Sequence, residues 1–225
     1  MFLVTSILQG WDTRQIDFVL AFPQADVECD IYMEVPVGFV LRGDKKKYCL
    51  KLIKNIYGTK QAGRVGNKHV NKGLLKLGYK ASKVDPCVYY KGQTVFMIYV
   101  DDGIFAGPDK KEIEGLIKEL QKEFNVTDEG DLKEYLGVLV EKQADGRTKL
   151  SQPQLIKQIL NDLWFNDRTK AKPTPAPGGQ VLEREIDAEP MNDDFHYRSV
   201  IGKANFLEKS TRPDIAVAVH QCARF

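Results

Sequence analysis

The sequence predicts an α+β fold, an antiparallel sheet with helices on its back. Three observations predict it. Two apolar runs, Thr94 to Val100 (TVFMIYV) and Ile104 to Ala106, flank Asp101-Asp102-Gly103, the pattern of two strands joined by a tight acidic turn. A third run, Arg14 to Phe22 (RQIDFVLAF), alternates Ile16, Phe18 and Leu20 to one face with Asp17 on the other. Asp109 to Phe124 carries Ile113, Leu116, Ile117, Leu120 and Phe124 at helical spacing, with Asp109 able to cap and Glu112 to complete a capping box.

The remaining elements follow in chain order. Phe2, Leu3, Ile7 and Leu8 share one helical face at the start. Pro23 ends the first strand. A short strand at 31–35 stops at Pro36, a charged turn occupies 43–47, and 48–53 reads as another strand. Residues 61–77 read as a helix on Ala62, Val65, His69, Val70, Gly73, Leu74 and Leu77. Glu134 to Lys142 and Lys149 to Ser151 read as strands around the turn at Asp145-Gly146, and 153–164 as a helix. A Pro-rich linker, KAKPTPAPGG, covers about 170–180, and an acidic stretch runs on to Asp194. From Phe195 the chain reads as helices broken at Thr211-Arg212-Pro213-Asp214. The domain reading is 1–150, with 23–60 set apart inside it, and 151–225.

Composition bounds the function. The chain has 225 residues, 43% of them hydrophobic, which suffices for a sizeable core. A net charge of +2 does not point to a polyanion, but its distribution does. Ile16 to Leu41 holds five acids and no Lys or Arg; Arg42 to Lys80 holds twelve Lys or Arg against one acid. Lys60, Arg64, Lys68, Lys72, Lys76 and Lys80 recur every four residues, a stripe that drifts about 40° per step around a helix and forms a curved basic ridge. A solvated helix face explains the stripe equally well. Cys29, Cys49, Cys87 and Cys222 lack metal-ligand spacing and read as free thiols, and three histidines complete no zinc site. No apolar run is long enough to span a membrane.

Two adjacent carboxylates between apolar strands repel each other unless protonated, hydrated or bound to cations. An isolated Asp-Asp is most often a solvated turn. Here Tyr99-Val100-Asp101-Asp102 follows an apolar strand, and Asp17 sits in a second one upstream.

The segment FMIYVDDGIFAG (96–107) resembles the catalytic hairpin of reverse transcriptases, in particular those of copia-type LTR retrotransposon Pol polyproteins. QIDFVLAF (15–22), IYMEVPVGF (31–39), IYGTKQAGR (56–64), DPCVY (85–89), YLGVLV (135–140) and YRSVIGKANFLEKSTRPDIA (197–216) agree in the same order. The resemblance implies a right-hand polymerase palm, with a partial fingers at about 23–60 and a thumb-like part after 150. It implies an RNA-directed DNA polymerase whose Asp17, Asp101 and Asp102 hold two Mg²⁺ ions, with Mn²⁺ as a substitute. Phe22 matches the aromatic residue under the nucleotide sugar, with a core Phe at a strand end as the rival reading. Gln61 matches a glutamine that contacts the nucleotide, with a polar helix-start residue as the rival. Arg64, Lys68, Lys72 and Lys76 would follow nucleic acid. The implied partners are an RNA or DNA template with primer, deoxynucleoside triphosphates, and the RNase H and integrase of the same polyprotein; the implied location is a cytoplasmic virus-like particle.

The sequence departs from the family pattern in named places. Val19-Leu20 follows the first Asp region where small or polar residues are usual, and Pro23-Gln24-Ala25 replaces Leu-Asn-Gly. Thr59 and Gly63 replace Leu and Pro, and Gly66 stands near the place of an expected aromatic residue. The family's basic strand pair upstream of the first catalytic strand is not in the sequence. A second reading is therefore an inactive or co-opted remnant that grips nucleic acid through residues 42–80 without catalysis; a third is a decayed product without a stable fold.

Overall fold

The computed structural model describes residues 2–40, 43–166, 168–176, 181–183 and 195–225. They form two compact units, Met1–Leu132 and Lys133–Phe225. The end of the Pro-rich stretch (177–180) and most of the acidic segment (184–194) lie outside the described residues.

The first unit opens with helix α1 (Phe2–Leu8), strand β1 (Asp12–Phe18), and a ribbon of β2 (Tyr32–Glu34) and β3 (Cys49–Lys51). Asn55, fully buried, ties the two ends of the ribbon segment by donating from Nδ2 to the carbonyls of Ala25 (3.1 Å) and Asp26 (2.7 Å). Helix α2 (Ala62–Lys76) follows, then β4 (Lys80–Ala81), β5 (Val88–Lys91), β6 (Thr94–Tyr99), β7 (Asp102–Gly107), α3 (Lys110–Glu123) and β8 (Val126–Asp131). Asp109 caps α3 by accepting from the Lys111 amide at 2.8 Å, while the Glu112 carboxylate lies against Gly92.

Six strands pair antiparallel in the order β4-β5-β6-β7-β1-β8. The two-residue alternation of a strand sorts its side chains. Ile16 and Phe18 of β1, Phe96 and Ile98 of β6 and Phe105 of β7 join Val70 and Leu74 of α2 and Ile113, Leu116, Ile117 and Leu120 of α3 in one core. Both helices therefore back the same sheet face. Phe96 and Phe105, cross-strand partners, stack at 4.4 Å between centroids in its centre.

Two differences from the sequence reading have physical causes. β1 stops at Phe18, because Leu20 takes a positive φ of 52° and Phe22–Gln24 forms a 3-10 turn. β8 is not expected from VTDEGD, which is rich in acids and glycine. It forms by tertiary pairing: it lies on the edge against β1, and Arg14 pairs with Asp128 at 2.5 Å.

The second unit holds the sheet β9 (Glu134–Tyr135), β10 (Val138–Lys142) and β11 (Thr148–Ser151), then helices α4 (Pro153–Asp162), α5 (Tyr197–Ser210) and α6 (Ala216–Cys222). The single strand expected over 134–142 is a hairpin. Leu136 and Gly137 both take positive φ (50° and 76°), the requirement of a tight two-residue turn. Residues of the Pro-rich stretch line a groove with Ile156, Leu160 and Phe165, so part of it lies against α4.

Gly103 is the residue at which the β6–β7 hairpin and the core meet. A Cβ there would stand 2.7 Å from Phe96 and 2.8 Å from Ile16. Gly103→Ala is expected to destabilise the chain by about 1–3 kcal/mol through overpacking, read as a lower urea midpoint with unchanged slope.

Candidate active site

β1 and β7 pair in a register that sets Asp17 directly opposite Asp102, and the Phe18 amide donates to the Asp101 carbonyl at 2.7 Å. Directly opposed residues share a sheet face, with Cβ atoms roughly 5 Å apart. Because Ile16 and Phe18 face the core, Asp17 and Asp102 stand on the opposite face. Tyr99 pairs with Asp102 across the β6–β7 hairpin, so the two turn residues are Val100 and Asp101. Asp102 is thus a strand residue and not part of the turn. Val100 carries a positive φ of 57°, a costly conformation for a β-branched side chain.

The carboxylates repel one another. Burial raises the Asp17 pKa, and Asp101 and Glu129 raise it further. Burial also raises that of Asp102, reinforced by Asp17 and Asp101. Asp101 has a different surrounding. Its Oδ2 accepts from the Tyr57 hydroxyl at 2.7 Å, and its buried Oδ1 has no hydrogen-bond partner among the described residues.

Phe22 lies in the 3-10 turn beyond β1, with its ring 4.7 Å from that of Tyr57. Gly66 of α2 makes the room: a Cβ there would come within 2.9 Å of the Phe22 ring. Beside them is a cavity of about 220 Å³ lined by Ala21, Phe22, Gly66, Val70, Ile98 and Val100 among others. Gln24, at one of the departures from the family pattern, clamps this turn. Its Nε2 donates to the carbonyls of Val19 (2.8 Å) and Asn125 (3.0 Å), and its Oε1 accepts from the Asn125 amide at 3.1 Å.

The other expected site residues stand differently. Gln61 is the residue before α2, and its side chain does not cap the helix. Among the described residues no hydrogen bond joins it to the three carboxylates. Arg64 and Lys68 both reach Glu28, at 2.5 and 3.4 Å, and Lys76 pairs with Glu123 at 2.8 Å. Lys72 is exposed on the same helix. The ridge therefore carries acidic partners that the four-residue spacing alone did not reveal. Exposed pairs of this kind are weak, and phosphate can compete for their cations. The sequence assigns no role to Tyr57 within IYGTKQAGR (56–64); an aromatic hydroxyl beside a glycine carries no signal until the fold brings it to Asp101.

Carboxylate oxygens are the donor set of a hard divalent cation such as Mg²⁺. Among the described residues, however, no three His, Cys, Asp or Glu side chains are grouped to hold a metal ion. Asp17 and Asp102 face one another, whereas Asp101 leans on Tyr57, as expected where three negative groups repel and one is offered a donor. The donor chemistry fits the ion, and the three side chains do not form a ready cage.

A family model described as "Reverse transcriptase (RNA-dependent DNA polymerase)" matches residues 1–177. The chain belongs to the reverse transcriptase family. Among relatives of this reverse transcriptase segment, the retrovirus-related Pol polyprotein from transposon TNT 1-94 of Nicotiana tabacum is 34% identical, covering 95% of this chain and 17% of that protein. The Pol polyprotein from transposon RE1 of Arabidopsis thaliana is 30% identical over 99% of this chain and 15% of its own length. A transposon Ty5-1 protein of Saccharomyces cerevisiae is 28% identical, over 93% of this chain and 68% of that protein. The chain thus spans about a sixth of the two plant Pol polyproteins. The family model and these relatives agree: residues 1–177 match reverse transcriptases, and the relatives are retrotransposon proteins. Among the described residues no helix is long and apolar enough to cross a membrane.

The raised pKa of Asp17 and of Asp102 makes stability depend on pH. Their folded pKa lies above the unfolded one, so the folded chain holds these protons more tightly. That stability is fully present below the unfolded carboxylate range and is lost as pH rises through the folded values. Asp102→Asn in metal-free buffer is expected to raise the melting temperature at neutral pH by about 2–4 °C, or ~1 kcal/mol. The gain should shrink as the pH falls into the range where these carboxyls take up protons; calorimetric melting from neutral pH downward checks it, and a pH-independent gain would count against the repulsion.

Proposed function

We propose that this chain is the nucleotidyl-transfer core of a retrotransposon reverse transcriptase, extending a primer 3′-hydroxyl on an RNA or DNA template. The observation that carries the reading is the register that opposes Asp17 and Asp102, with Asp101 one residue away in the hairpin turn. Asp17, Asp101 and Asp102 would hold two Mg²⁺ ions, or Mn²⁺ in their place. When bound, such ions supply charge neutralisation and an acidified primer hydroxyl. The protein's own work is positioning. The β1–β7 pairing holds two carboxylates on one rigid sheet face, and the turn carries the third. Phe22, braced by Tyr57 and seated over Gly66, offers a ring against the nucleotide sugar and leaves little room for a 2′-hydroxyl.

Gln61 would contact the incoming nucleotide from the start of α2. Arg64, Lys68, Lys72 and Lys76 would exchange Glu28, Glu123 and solvent for backbone phosphates. In this reading 1–132 supplies the palm, the β2–β3 ribbon a partial fingers, and the helices after 150 a thumb. RNase H and integrase parts of the same polyprotein are its partners, inside a cytoplasmic particle.

Primer extension on poly(rA) with oligo(dT), dTTP and Mg²⁺ tests the reading. The wild-type chain should extend the primer, and an Asp101→Asn/Asp102→Asn double variant should lose at least about a hundredfold in rate. A cooperatively folded wild-type chain that incorporates nothing would overturn it. Phe22→Ala should raise the use of UTP relative to dTTP by about tenfold to a hundredfold, measured in the same assay.

A further inference from the structure

We propose that Tyr57 is a positioning residue that couples Asp101 to Phe22: its hydroxyl orients the carboxylate, and its ring orients the aromatic platform. The inference rests on the polymerase reading above and adds a residue to it. Two contacts from one side chain carry it. The Tyr57 hydroxyl donates to Asp101 Oδ2 at 2.7 Å. The Tyr57 ring lies 4.7 Å from that of Phe22, tilted by 36°.

The consequences follow from geometry. A carboxylate on a hairpin turn can rotate about χ1 and χ2. A hydrogen bond to one oxygen fixes its plane and decides where the other oxygen points. Here the other oxygen, Oδ1, is buried and takes no hydrogen bond from the described residues. Tyr57 thus leaves Asp101 one oriented, unshared oxygen on a strained turn. Partners of this outer kind orient metal-ligating groups, and losing one typically costs about tenfold or more in metal affinity. The ring contact works in the other direction. Phe22 sits on a 3-10 turn and is held from one side by the bare backbone of Gly66 and from another by Tyr57. A platform held on two sides keeps its distance from the sugar; one held on a single side tilts.

The hydroxyl and the ring can be separated by substitution. Tyr57→Phe removes the first and keeps the second; Tyr57→Leu removes both. Tyr57 is 43% exposed, so the Phe variant creates no core cavity. The first readout is metal binding without nucleotide or nucleic acid, as the Mn²⁺ concentration giving half the maximal rise in melting temperature. The second is the dTTP-to-UTP preference in primer extension. Tyr57→Phe is expected to raise the Mn²⁺ midpoint about tenfold and to leave sugar preference within about twofold. Tyr57→Leu should raise the midpoint equally and also lower the preference about tenfold. An unchanged Mn²⁺ midpoint in Tyr57→Phe overturns the role of the hydroxyl, and an unchanged preference in Tyr57→Leu overturns that of the ring. A wild-type chain that extends no primer overturns the polymerase reading instead, while the Mn²⁺ midpoints still decide the hydroxyl's role.

Discussion

The antiparallel pairing of β1 with β7 is the constraint on which the site depends. A one-residue slip in that register would turn Asp17 into the core and bring Ile16 to the carboxylate face. The core guards against such a slip. Ile16 and Phe18 are both buried among Phe96, Phe105 and the two helices, and Gly103 leaves just enough room for Ile16 and Phe96 to meet. The hydrophobic effect therefore does the aligning, and the carboxylates are carried into opposition by the burial of their apolar neighbours.

That alignment is electrostatically unfavourable. Burial raises the pKa of both Asp17 and Asp102, and neighbouring carboxylates add to it: Asp101 and Glu129 for Asp17, Asp17 and Asp101 for Asp102. Asp101 sits in a turn whose first residue, Val100, has a backbone conformation that a β-branched side chain resists. Strain and repulsion gather at the hairpin tip and are borne by a well-packed sheet beneath it. Local cost set against global stability is the usual arrangement at sites that act on charged ligands.

The departures from the family pattern acquire physical content in the fold. Gln24 holds three backbone groups and so fixes the turn that carries Phe22. Gly66, in the middle of a helix where glycine costs about 1 kcal/mol, leaves the space that the Phe22 ring enters. The cavity beside them marks where side-chain volume is missing from α2. Tyr57 closes the group from the other side. What reads as drift along the chain is, at these positions, a connected set of contacts around one ring.

The sequence by itself determined the α+β class, the β6–β7 hairpin, the helices α2 and α3 with their buried faces, and the three carboxylates as the centre of interest. These were legible because two-residue and 3.6-residue periodicities are local, and because an acidic pair between apolar strands is conspicuous. Its motifs also placed the chain in its family. Tertiary structure alone decided the rest. β8 is a strand because β1 offers it an edge and Arg14 offers Asp128 a cation. The cations of α2 are paired because Glu28 and Glu123 lie far away in sequence and near in space. Asp101 is hydrogen-bonded at one oxygen because Tyr57, 44 residues earlier, presents a hydroxyl to it. Each of these depends on a contact between distant segments, and such contacts leave no periodicity in the chain; they come into being only when the core has closed.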